Sequence, residues 1–307
     1  AVSGVLLNLL LLYAIRRYTR QAIGTYKHLL TVFASYDVFL SVSHAAVKPK
    51  AGCAYNTIFQ LTPLHQEITA CYCSCVTVPF ALMIIHFLYR FWSIRYPHLI
   101  YLFSNKRFVT FITSSIVLLF LLWCRFAYYG TAEGPEKSKR LLSAEYARRF
   151  GKELKEGWLI FNYWEDGVFQ LEPFFTVLGT DLLMVCSFTI AITLGSLTFY
   201  HIKRAKKISI QSNRLQRKLF VALCAQTFVP FVFVYLPSLC VVNLGCFGLP
   251  VFSMDDTFTI LVSCFPAWDA VVIILLMSDY RDGVRGMFRK KTAHAQKETT
   301  WMTATSI

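Results

Sequence analysis

Charged residues are scarce in this chain, at 16% of its 307 residues, whereas 56% are hydrophobic and the mean hydropathy is +0.49. Water-soluble domains carry about a quarter charged residues. The composition therefore excludes an ordinary soluble domain and indicates a membrane protein. The net charge is +14, but so apolar a chain leaves little polar surface for a nucleic acid, and we expect no nucleic-acid partner.

Enzyme motifs are also missing from the sequence. It has no Gly-rich phosphate loop, no HExxH or GxSxG, and no cysteine and histidine spacing typical of a metal site. Most of the ten cysteines lie in apolar segments, where a thiol packs as a small hydrophobe. The last apolar segment lacks a lysine that could hold retinal. We expect neither enzymatic activity nor a bound metal or cofactor.

Seven apolar segments are separated by polar breaks, and a helix that spans a bilayer needs about 20 such residues. They are Ala1–Ile15, His28–Val47, Ile68–Tyr89, Phe108–Tyr129, Phe174–Ile202, Leu219–Val242 and Thr257–Ser278. The first is short, so we expect the given chain to begin part-way into its first helix. The pattern predicts an all-α membrane protein, a seven-transmembrane helix bundle.

The basic residues predict the orientation of this bundle. Most of the 31 Lys and Arg residues follow the first, third, fifth and seventh segments. Short cytosolic loops are enriched in Lys and Arg. The N-terminus is therefore predicted outside and the C-terminus in the cytosol, and the positive charge is explained as a topology signal.

A long outer loop is predicted over residues 130–172. Within it, Glu136/Arg140 and Glu145/Arg149 are spaced four apart, as in a solvated surface helix. This segment is either a lid over the outer mouth of the bundle or a solvated spacer.

One domain, which comprises the seven helices and a short surface helix, is predicted to cover residues 1–288. Its last part, 278–288, places Tyr280 and Val284 on one face with arginines elsewhere, the pattern of a short helix along the inner membrane surface. The tail, 289–307, is polar and predicted to be disordered.

Three carboxylates lie well inside the predicted spans: Asp37, Asp181 and Asp269. Buried carboxylates in a membrane are costly and mark functional sites. Asp37 and Asp269 lie about 13 Å from the cytosolic ends of their helices at 1.5 Å per residue. Two carboxylates at one depth could hold a cation or share a proton, as a polar switch. Alternatively, each accepts hydrogen bonds from neighbouring Ser, Thr or Tyr side chains.

Prolines interrupt three of the predicted helices, at Pro79, Pro230, Pro237 and Pro266. Each removes a backbone hydrogen bond and produces a kink. We expect Pro230 and Pro266 to act as hinges. Kinked helices suit a conformational relay, and they also suit a transporter.

One stretch, Arg90-Phe91-x-x-Ile94-x-x-Pro97, resembles the signature at the inner end of the third helix in rhodopsin-like G-protein-coupled receptors. The acidic residue that usually precedes the arginine is replaced by Tyr89. An acidic partner for Arg90 is therefore missing from the motif. His86, one turn earlier on the same helix face, is the predicted substitute.

An ordered set of further stretches is similar to nematode serpentine chemoreceptors of the str class, the family that includes the diacetyl odorant receptor. The set comprises Gly4-x-x-x-Asn8, Ile23–Leu29, His86–Phe91, Gln226-Thr227-x-x-Pro230, Phe265–Asp269 and Asp279-Tyr280-Arg281. The resemblance implies a small volatile or apolar ligand, a heterotrimeric G protein and membrane lipids as partners. It also implies the plasma membrane, in particular the ciliary membrane of chemosensory neurons, as the location.

The resemblance assigns roles to particular residues. Coupling to the G protein is expected at Arg90, Ile94, Pro97, Lys203, Arg204, Lys206 and Lys207. Ligand binding is expected in the outer half, at His44, Cys75, Phe175, Asp181, Phe233, Tyr235 and Phe258, because aromatic side chains supply apolar area and His44 or Asp181 a hydrogen bond.

A disulfide and the alternative functions remain open at this point. Rhodopsin-like receptors tie the third helix to the second outer loop, but residues 130–172 contain no cysteine. Cys53 is expected to pair with Cys246 or with Cys71. The main alternative function is a channel or transporter that uses Asp37, Asp181 and Asp269. A receptor that acts mainly by pairing with another receptor is a further one.

Overall fold

A computed structural model describes residues 1–19, 25–47, 50–51, 57–60, 66–129, 143–144, 147–148, 151, 158–161, 163–165, 167–204, 210–247 and 255–287. Its helices are α1 (Val2–Tyr18), α2 (Tyr26–Val47), α3 (Gln66–Cys75), α4 (Val78–Arg95), α5 (Lys106–Tyr129), α6 (Leu171–Arg204), α7 (Ile210–Pro230), α8 (Leu236–Cys246), α9 (Asp255–Leu276) and α10 (278–287). A 3₁₀ helix, Pro97–Ser104, joins α4 to α5.

These helices form a seven-helix bundle, as the hydropathy pattern predicts. In the part of the chain that the structure describes, six stretches are long and apolar enough to cross a membrane: Tyr26–Val47, Glu67–Arg95, Lys106–Tyr128, Leu171–Arg204, Gln216–Cys246 and Thr259–Leu276. The helix α1 has 17 residues and packs against α2 and α9 as the seventh member. Helices satisfy every backbone group internally, which is what the apolar phase of a bilayer requires. The predicted all-α membrane fold is confirmed.

Among the described residues, most exposed basic side chains lie at one end of the bundle, which we name the basic end. They are Arg16, Arg17, Lys27, Arg95, Lys106, Arg107, Lys203, Arg204, Arg217, Lys218 and Arg285. Because consecutive spans alternate in direction, basic residues after the first, third, fifth and seventh spans collect at this end.

The third span is broken in its middle. The helix α3 ends at Cys75, α4 begins at Val78, and Val76 and Thr77 form a turn between them. Pro79 explains part of this, since it has no N–H to donate. The freed carbonyl of Cys75 accepts a hydrogen bond of 2.7 Å from the Tyr36 hydroxyl on α2. The span then continues to Arg95, six residues past the predicted end at Tyr89.

The sixth span contains a second irregularity. A π-helical segment, Phe231–Tyr235, follows Pro230 and separates α7 from α8. A π-helix widens the turn locally, and such segments are frequent at functional sites. Pro266 lies inside α9 without ending it. Where kinks were predicted in the third and sixth spans, the structure therefore has a break in the helix and a π-helical segment.

Short strands, which we did not predict from the sequence, lie at the end opposite the basic end. One sheet has the order β1 (Lys50–Ala51), β2 (Thr57–Gln60) and β3 (Trp158–Phe161), all antiparallel. A hairpin joins β4 (Trp164–Glu165) to β5 (Val168–Phe169). The residue pairs predicted to stabilise a loop helix, Glu136/Arg140 and Glu145/Arg149, lie outside the described residues.

The long loop is anchored to α8 by two side chains. Tyr163 is fully buried, and its hydroxyl donates to the carbonyl of Val242 at 2.8 Å. Burial raises the pKa of Tyr163, which keeps this donor protonated. Trp164 donates from Nε1 to the carbonyl of Cys246 at 3.3 Å. Tyr163 and Trp164 therefore lie against the end of the sixth span.

The helix α10 docks on the end of α1 at the basic end. Tyr280 is fully buried, and its hydroxyl lies 3.0 Å from Thr19 Oγ1. Gly283 lies against Tyr18 so closely that a Cβ there would be 2.4 Å from a ring carbon. Val284 is partly buried beside them, as the one-face pattern predicts. The predicted tail, 289–307, lies outside the described residues.

Candidate functional site

Four aromatic side chains from three helical spans meet in the core, and we name them the aromatic cluster: Phe80, Phe188, Phe231 and Tyr235. Phe188 and Tyr235 have ring centroids 4.6 Å apart, and Phe80 lies 5.7 Å from Phe188. Phe231 stacks on Tyr235 at 5.4 Å. Aromatic pairs at these distances are stabilising beyond the area that they bury.

Both backbone irregularities border this cluster. Cys75 and Val76, at the break in the third span, pack against the same core as Phe231 and Phe233 of the π-helical segment. Irregular backbone inside a membrane span is tolerated where it is buried in protein. Two separate spans thus give up regular helix at one place, around apolar side chains.

The structure brings some of the predicted ligand residues together and separates others. Tyr235 is in the aromatic cluster, and Cys75 and Phe233 pack against the core around it. Phe175 is 59% exposed on the outside of α6, away from this core. The side chain of Phe258 lies outside the described part of the chain.

The other two predicted ligand residues make polar pairs. His44 Nδ1 lies 2.5 Å from the hydroxyl of Tyr72. Asp181 accepts a hydrogen bond of 2.9 Å from Asn243 Nδ2. Along α6, Asp181 lies about 10 Å from Phe188, towards the end opposite the basic end. The Asp181–Asn243 pair therefore lies between the aromatic cluster and the long loop.

A second site, the acid cluster, consists of Asn8, Asp37, Ser41, Gln226 and Asp269. All five side chains are buried, with exposures of 4% or less. Asn8 Nδ2 donates to the carbonyls of Gly4 and Pro266, at 3.0 and 2.8 Å. Gln226 Nε2 donates to Asp269 Oδ2 at 3.2 Å. These bonds connect α1, α7 and α9.

The oxygen atoms of the acid cluster are incompletely satisfied. Within the described part of the chain, Asn8 Oδ1, both Asp37 oxygens, Ser41 Oγ and Asp269 Oδ1 have no hydrogen-bond partner. The Asp37 and Asp269 carboxylates are close enough to repel each other. Buried oxygens without partners are costly, and a cation or a shared proton is the chemistry that relieves both problems.

Gly4 is what permits α1 to approach the acid cluster. A Cβ at this position would lie 2.5 Å from Ser41 Oγ on α2 and 3.5 Å from the Pro266 ring on α9. A side chain here would therefore push three helices apart. The glycine is a packing requirement and not a turn.

A third site, the arginine cluster, surrounds Arg90 at the basic end. It consists of Tyr26, His86, Tyr89, Arg90 and Gln216. Arg90 is 3% exposed, and its guanidinium lies 3.9 Å from the centre of the Tyr26 ring. Its Nη1 donates to Gln216 Oε1 at 3.1 Å. Within the described chain, Nε and Nη2 have no hydrogen-bond partner.

His86 and Tyr89 of this cluster contact Tyr26 and the start of α2. His86 Nδ1 lies 3.5 Å from the Tyr26 hydroxyl, with ring centroids 5.6 Å apart. The Tyr89 hydroxyl is 2.7 Å from Thr25 Oγ1. His86, which the sequence suggested as the partner of Arg90, thus contacts the residue that holds the arginine. The missing acidic partner is replaced by an aromatic ring and an amide.

The other predicted coupling residues that the structure describes lie at the basic end. Ile94 is half-buried and Pro97 is exposed at the start of the 3₁₀ helix. Lys203 and Arg204 are exposed at the end of α6, and their cations lie over the rings of Phe199 and Tyr200. Lys206 and Lys207 lie outside the described residues.

The predicted disulfide stays a prediction. Cys246 and Cys71, its two proposed partners, carry free thiols. Cys53 lies outside the described residues.

Sequence reasoning gave no role to several residues of these sites. Gln226 and Asn8 were open to it, because an amide deep in an apolar run needs a partner. Tyr26 lies in the stretch Ile23–Leu29 that resembles the family, but the resemblance assigned it no role, because tyrosines are common at the ends of membrane helices. Gln216 lies in another such stretch, which begins at Leu215, and was assigned no role either.

Comparison with known proteins places the whole arrangement in one family. Residues 1–285 match the family described as "Serpentine type 7TM GPCR chemoreceptor Str". The chain is 25% identical to serpentine receptor class r-10 of Caenorhabditis briggsae, over 95% of this chain and 90% of that protein. It is 23% identical to serpentine receptor class r-10 of Caenorhabditis elegans, over 91% and 86%.

A third relative is the G-protein coupled receptor str-33 of Caenorhabditis elegans, 21% identical over 100% of this chain and 93% of that protein. The family match covers all seven helices and the first part of α10. The family that the sequence motifs suggested is confirmed: the chain belongs to the serpentine seven-transmembrane G-protein-coupled chemoreceptors of the Str family.

Proposed function

We propose that this chemoreceptor binds a small, mostly apolar ligand at the aromatic cluster, between the third, fifth and sixth spans. The observation that carries the proposal is that the break after Cys75 and the π-helical segment meet at these rings. Two spans give up regular helix at this place. Aromatic walls with few polar groups are the usual composition of small-molecule sites.

The Asp181–Asn243 pair supplies the polar end of this site. The pair is partly buried, so the Asn243 amide or the Asp181 carboxylate can exchange its present bond for one to a hydroxyl or carbonyl of the ligand. A ligand with one polar group and an apolar body fits this arrangement. Small volatile odorants commonly have this composition, so we propose an olfactory role with a volatile ligand.

The basic end is the proposed site of coupling to a heterotrimeric G protein. The positive-inside rule puts this end in the cytosol and the N-terminus outside, in a plasma membrane that we take to be that of chemosensory cilia. Ile94 and Pro97 form the proposed surface together with the basic segment that contains Lys203, Arg204, Lys206 and Lys207. Arg90 is buried beneath it and is proposed to join it on activation.

The sixth span connects the two sites. Its π-helical segment borders the ligand site, and its α7 end holds Arg90 through Gln216. A ligand that favours a different packing of the π-helical segment shifts the resting and active populations. Movement of α7 away from α4 breaks the Arg90–Gln216 bond and frees the arginine for the G protein. Pro230, at the junction, is the proposed hinge, and Pro266 is its counterpart in α9.

The test of coupling is a screen of small volatile compounds on cells that express the receptor, with a second-messenger readout. Arg90→Ala is expected to reduce the response at least about tenfold, since the arginine is buried and central. Arg95→Ala is the matched control, because Arg95 is exposed five residues further on. An unaltered response in Arg90→Ala contradicts the proposed coupling site.

The ligand site is tested by two phenylalanines of α6. Phe188→Ala removes a ring of the aromatic cluster and is expected to raise the half-maximal ligand concentration about tenfold or more. Phe175→Ala removes a 59% exposed ring and is expected to leave it unchanged. Equal effects of the two substitutions would place the ligand elsewhere.

Asp37 and Asp269 form the proposed polar switch. Their unpartnered oxygens suit a monovalent cation, which would stabilise the resting packing. The melting temperature of the purified receptor is expected to rise with NaCl relative to N-methylglucamine chloride. In Asp37→Asn this dependence is expected to disappear, and a retained dependence with unchanged activation would rule out the shared site.

A receptor is favoured over the channel or transporter alternative by the position of Asp181. Its carboxylate is bonded to Asn243 near the long loop, whereas Asp37 and Asp269 belong to the acid cluster. Three carboxylates along one ion path would be expected in mutual contact. A ligand-evoked current in cells without G proteins would favour the alternative.

A further inference from the structure

A groove of about 430 Å³ opens on the side of the bundle between α6 and α7. Its α6 wall is Ile192, Ser196 and Phe199, and its α7 wall is Phe220, Cys224 and Thr227. The groove lies outside the aromatic, acid and arginine clusters. Its mouth faces the side of the bundle where the membrane would be.

The floor of the groove depends on a glycine. Phe87 of α4 closes the floor, and a Cβ on Gly195 of α6 would lie 3.1 Å from the Phe87 ring. The close approach of α4 and α6 leaves the space in front of them open toward α7. The groove is therefore a product of the close helix packing that the missing side chain at Gly195 permits.

Both walls end in a cation at the basic end. On α6, Lys203 follows Phe199 by one turn, and its Nζ lies 4.5 Å from the centre of that ring. On α7, Arg217 precedes Phe220 by one turn, which puts it on the same helix face. Both cations are exposed.

The groove and the cation beyond it together match one leaflet of a bilayer. The α6 lining runs from Ile192 to Phe199, about 10 Å at 1.5 Å per residue, and Lys203 lies one further turn toward the basic end, about 16 Å from Ile192. The hydrocarbon core of a bilayer is about 30 Å thick, so half of it corresponds to the distance from Lys203 to the inner end of the groove. A small ligand would occupy only part of it.

We infer that this groove binds an acidic phospholipid of the leaflet at the basic end, with one acyl chain along the apolar walls and the phosphate between Lys203 and Arg217. Basic residues between membrane helices bind anionic headgroups. A small apolar ligand would make no use of the two cations at the end of the groove, whereas a phosphate would lie between them. Because the groove separates α6 from α7, an acyl chain there supports the spacing of the fifth and sixth spans.

The binding is tested with the full chain in lipid nanodiscs, using phosphatidylglycerol that carries a diazirine in its acyl chain and the matching phosphatidylcholine. After photolysis, cross-linked peptides are mapped by mass spectrometry. We expect phosphatidylglycerol to label the peptides with Ser196 and Cys224 at least about fivefold more than phosphatidylcholine. Equal labelling by the two lipids overturns the inference.

Substitutions on the walls separate this site from general lipid contact. Ser196→Trp and Cys224→Trp fill the groove and are expected to remove most labelling. Val221→Trp is the control, because Val221 is 54% exposed on α7 outside the groove. Thermal unfolding checks that all three variants are folded. Labelling that survives in both filled variants overturns the inference.

Charge substitutions identify the headgroup interaction. Lys203→Gln and Arg217→Gln are each expected to lower the preference for phosphatidylglycerol about fivefold. Arg204→Gln is the control, because its cation lies over Tyr200, which does not line the groove. A diazirine-labelled long-chain alcohol supplies the other possible source of an acyl chain. If it labels the groove as strongly as phosphatidylglycerol, the occupant is an apolar ligand and the inference fails.

Discussion

The arginine cluster holds a buried cation without a carboxylate, whereas the acid cluster holds two buried carboxylates without a cationic side chain, as far as the described residues extend. The two clusters share helices. Along α2, Tyr26 and Asp37 are about 16 Å apart, and along α7, Gln216 and Gln226 are about 15 Å apart. Opposite charges at such a distance do not form an ion pair.

The difference shows how the sixth span can form hydrogen bonds with both a buried cation and a buried carboxylate. In each cluster the contact from α7 is a glutamine: Gln216 accepts from Arg90 and Gln226 donates to Asp269. An amide can do both because it carries a donor and an acceptor. A displacement of α7 therefore weakens a hydrogen bond at each cluster at once. The following experiments separate the two clusters.

The largest effect is expected from Gly4→Ala in the acid cluster. The new Cβ would meet Ser41 Oγ at 2.5 Å, and overpacking of this kind costs about 1–3 kcal/mol. Thermal unfolding of the purified receptor measures the loss. The control is Gly179→Ala, whose Cβ would come no closer than 3.6 Å to the Phe126 ring. Equal melting temperatures for the two variants would contradict the close packing of α1.

An intermediate effect is expected from Tyr26→Leu in the arginine cluster. A cation over an aromatic ring is stabilised by about 0.5–2 kcal/mol. Loss of this energy corresponds to a roughly two- to thirtyfold decrease in the ratio of resting to active receptor. Ligand-independent second-messenger production should rise accordingly. Tyr26→Phe keeps the ring and should remain near wild type. If leucine and phenylalanine behave alike, the ring does not restrain Arg90.

The smallest effect is expected at Gln216, where substitutions should act in opposite directions. Gln216→Leu removes the acceptor for Arg90. A hydrogen bond to a charged group contributes about 1.5–3 kcal/mol, but Gln216 is only partly buried, so water can replace part of this bond and basal signalling should rise only a few-fold. Gln216→Glu supplies a carboxylate, which makes a stronger, charge-assisted bond. Basal signalling should then fall below wild type. An increase with glutamate would show that this contact does not favour the resting state.

The seven spans, and the shared depth of Asp37 and Asp269, could be predicted because both depend only on positions along the sequence. Hydropathy sets where a helix crosses the membrane, and the rise per residue sets the depth of each side chain. The break after Cys75 could not be predicted in the same way. Pro79 announces a lost hydrogen bond, but the unwound turn also depends on Tyr36, a side chain of another helix.

The direction in which an apolar side chain points was beyond the sequence. Phe175 and Phe188 are both phenylalanines of α6, yet the first is 59% exposed and the second 8%. In a soluble protein the exposed face would be polar. In a membrane the lipid is as apolar as the core, so periodicity does not distinguish a pocket from the outside of the bundle.

The bond from Tyr163 to the carbonyl of Val242 has a consequence for the kinetics of ligand exchange. Val242 belongs to α8, which continues the π-helical segment, so the loop is bonded at Tyr163 to the span proposed to move on activation. By thermodynamic reciprocity, whatever stabilises the active position of this span also changes ligand affinity. Because affinity differences are mostly differences in dissociation rate, a bound G protein should alter the residence time of the ligand, and the bond of Tyr163 would carry the movement of the span to the loop.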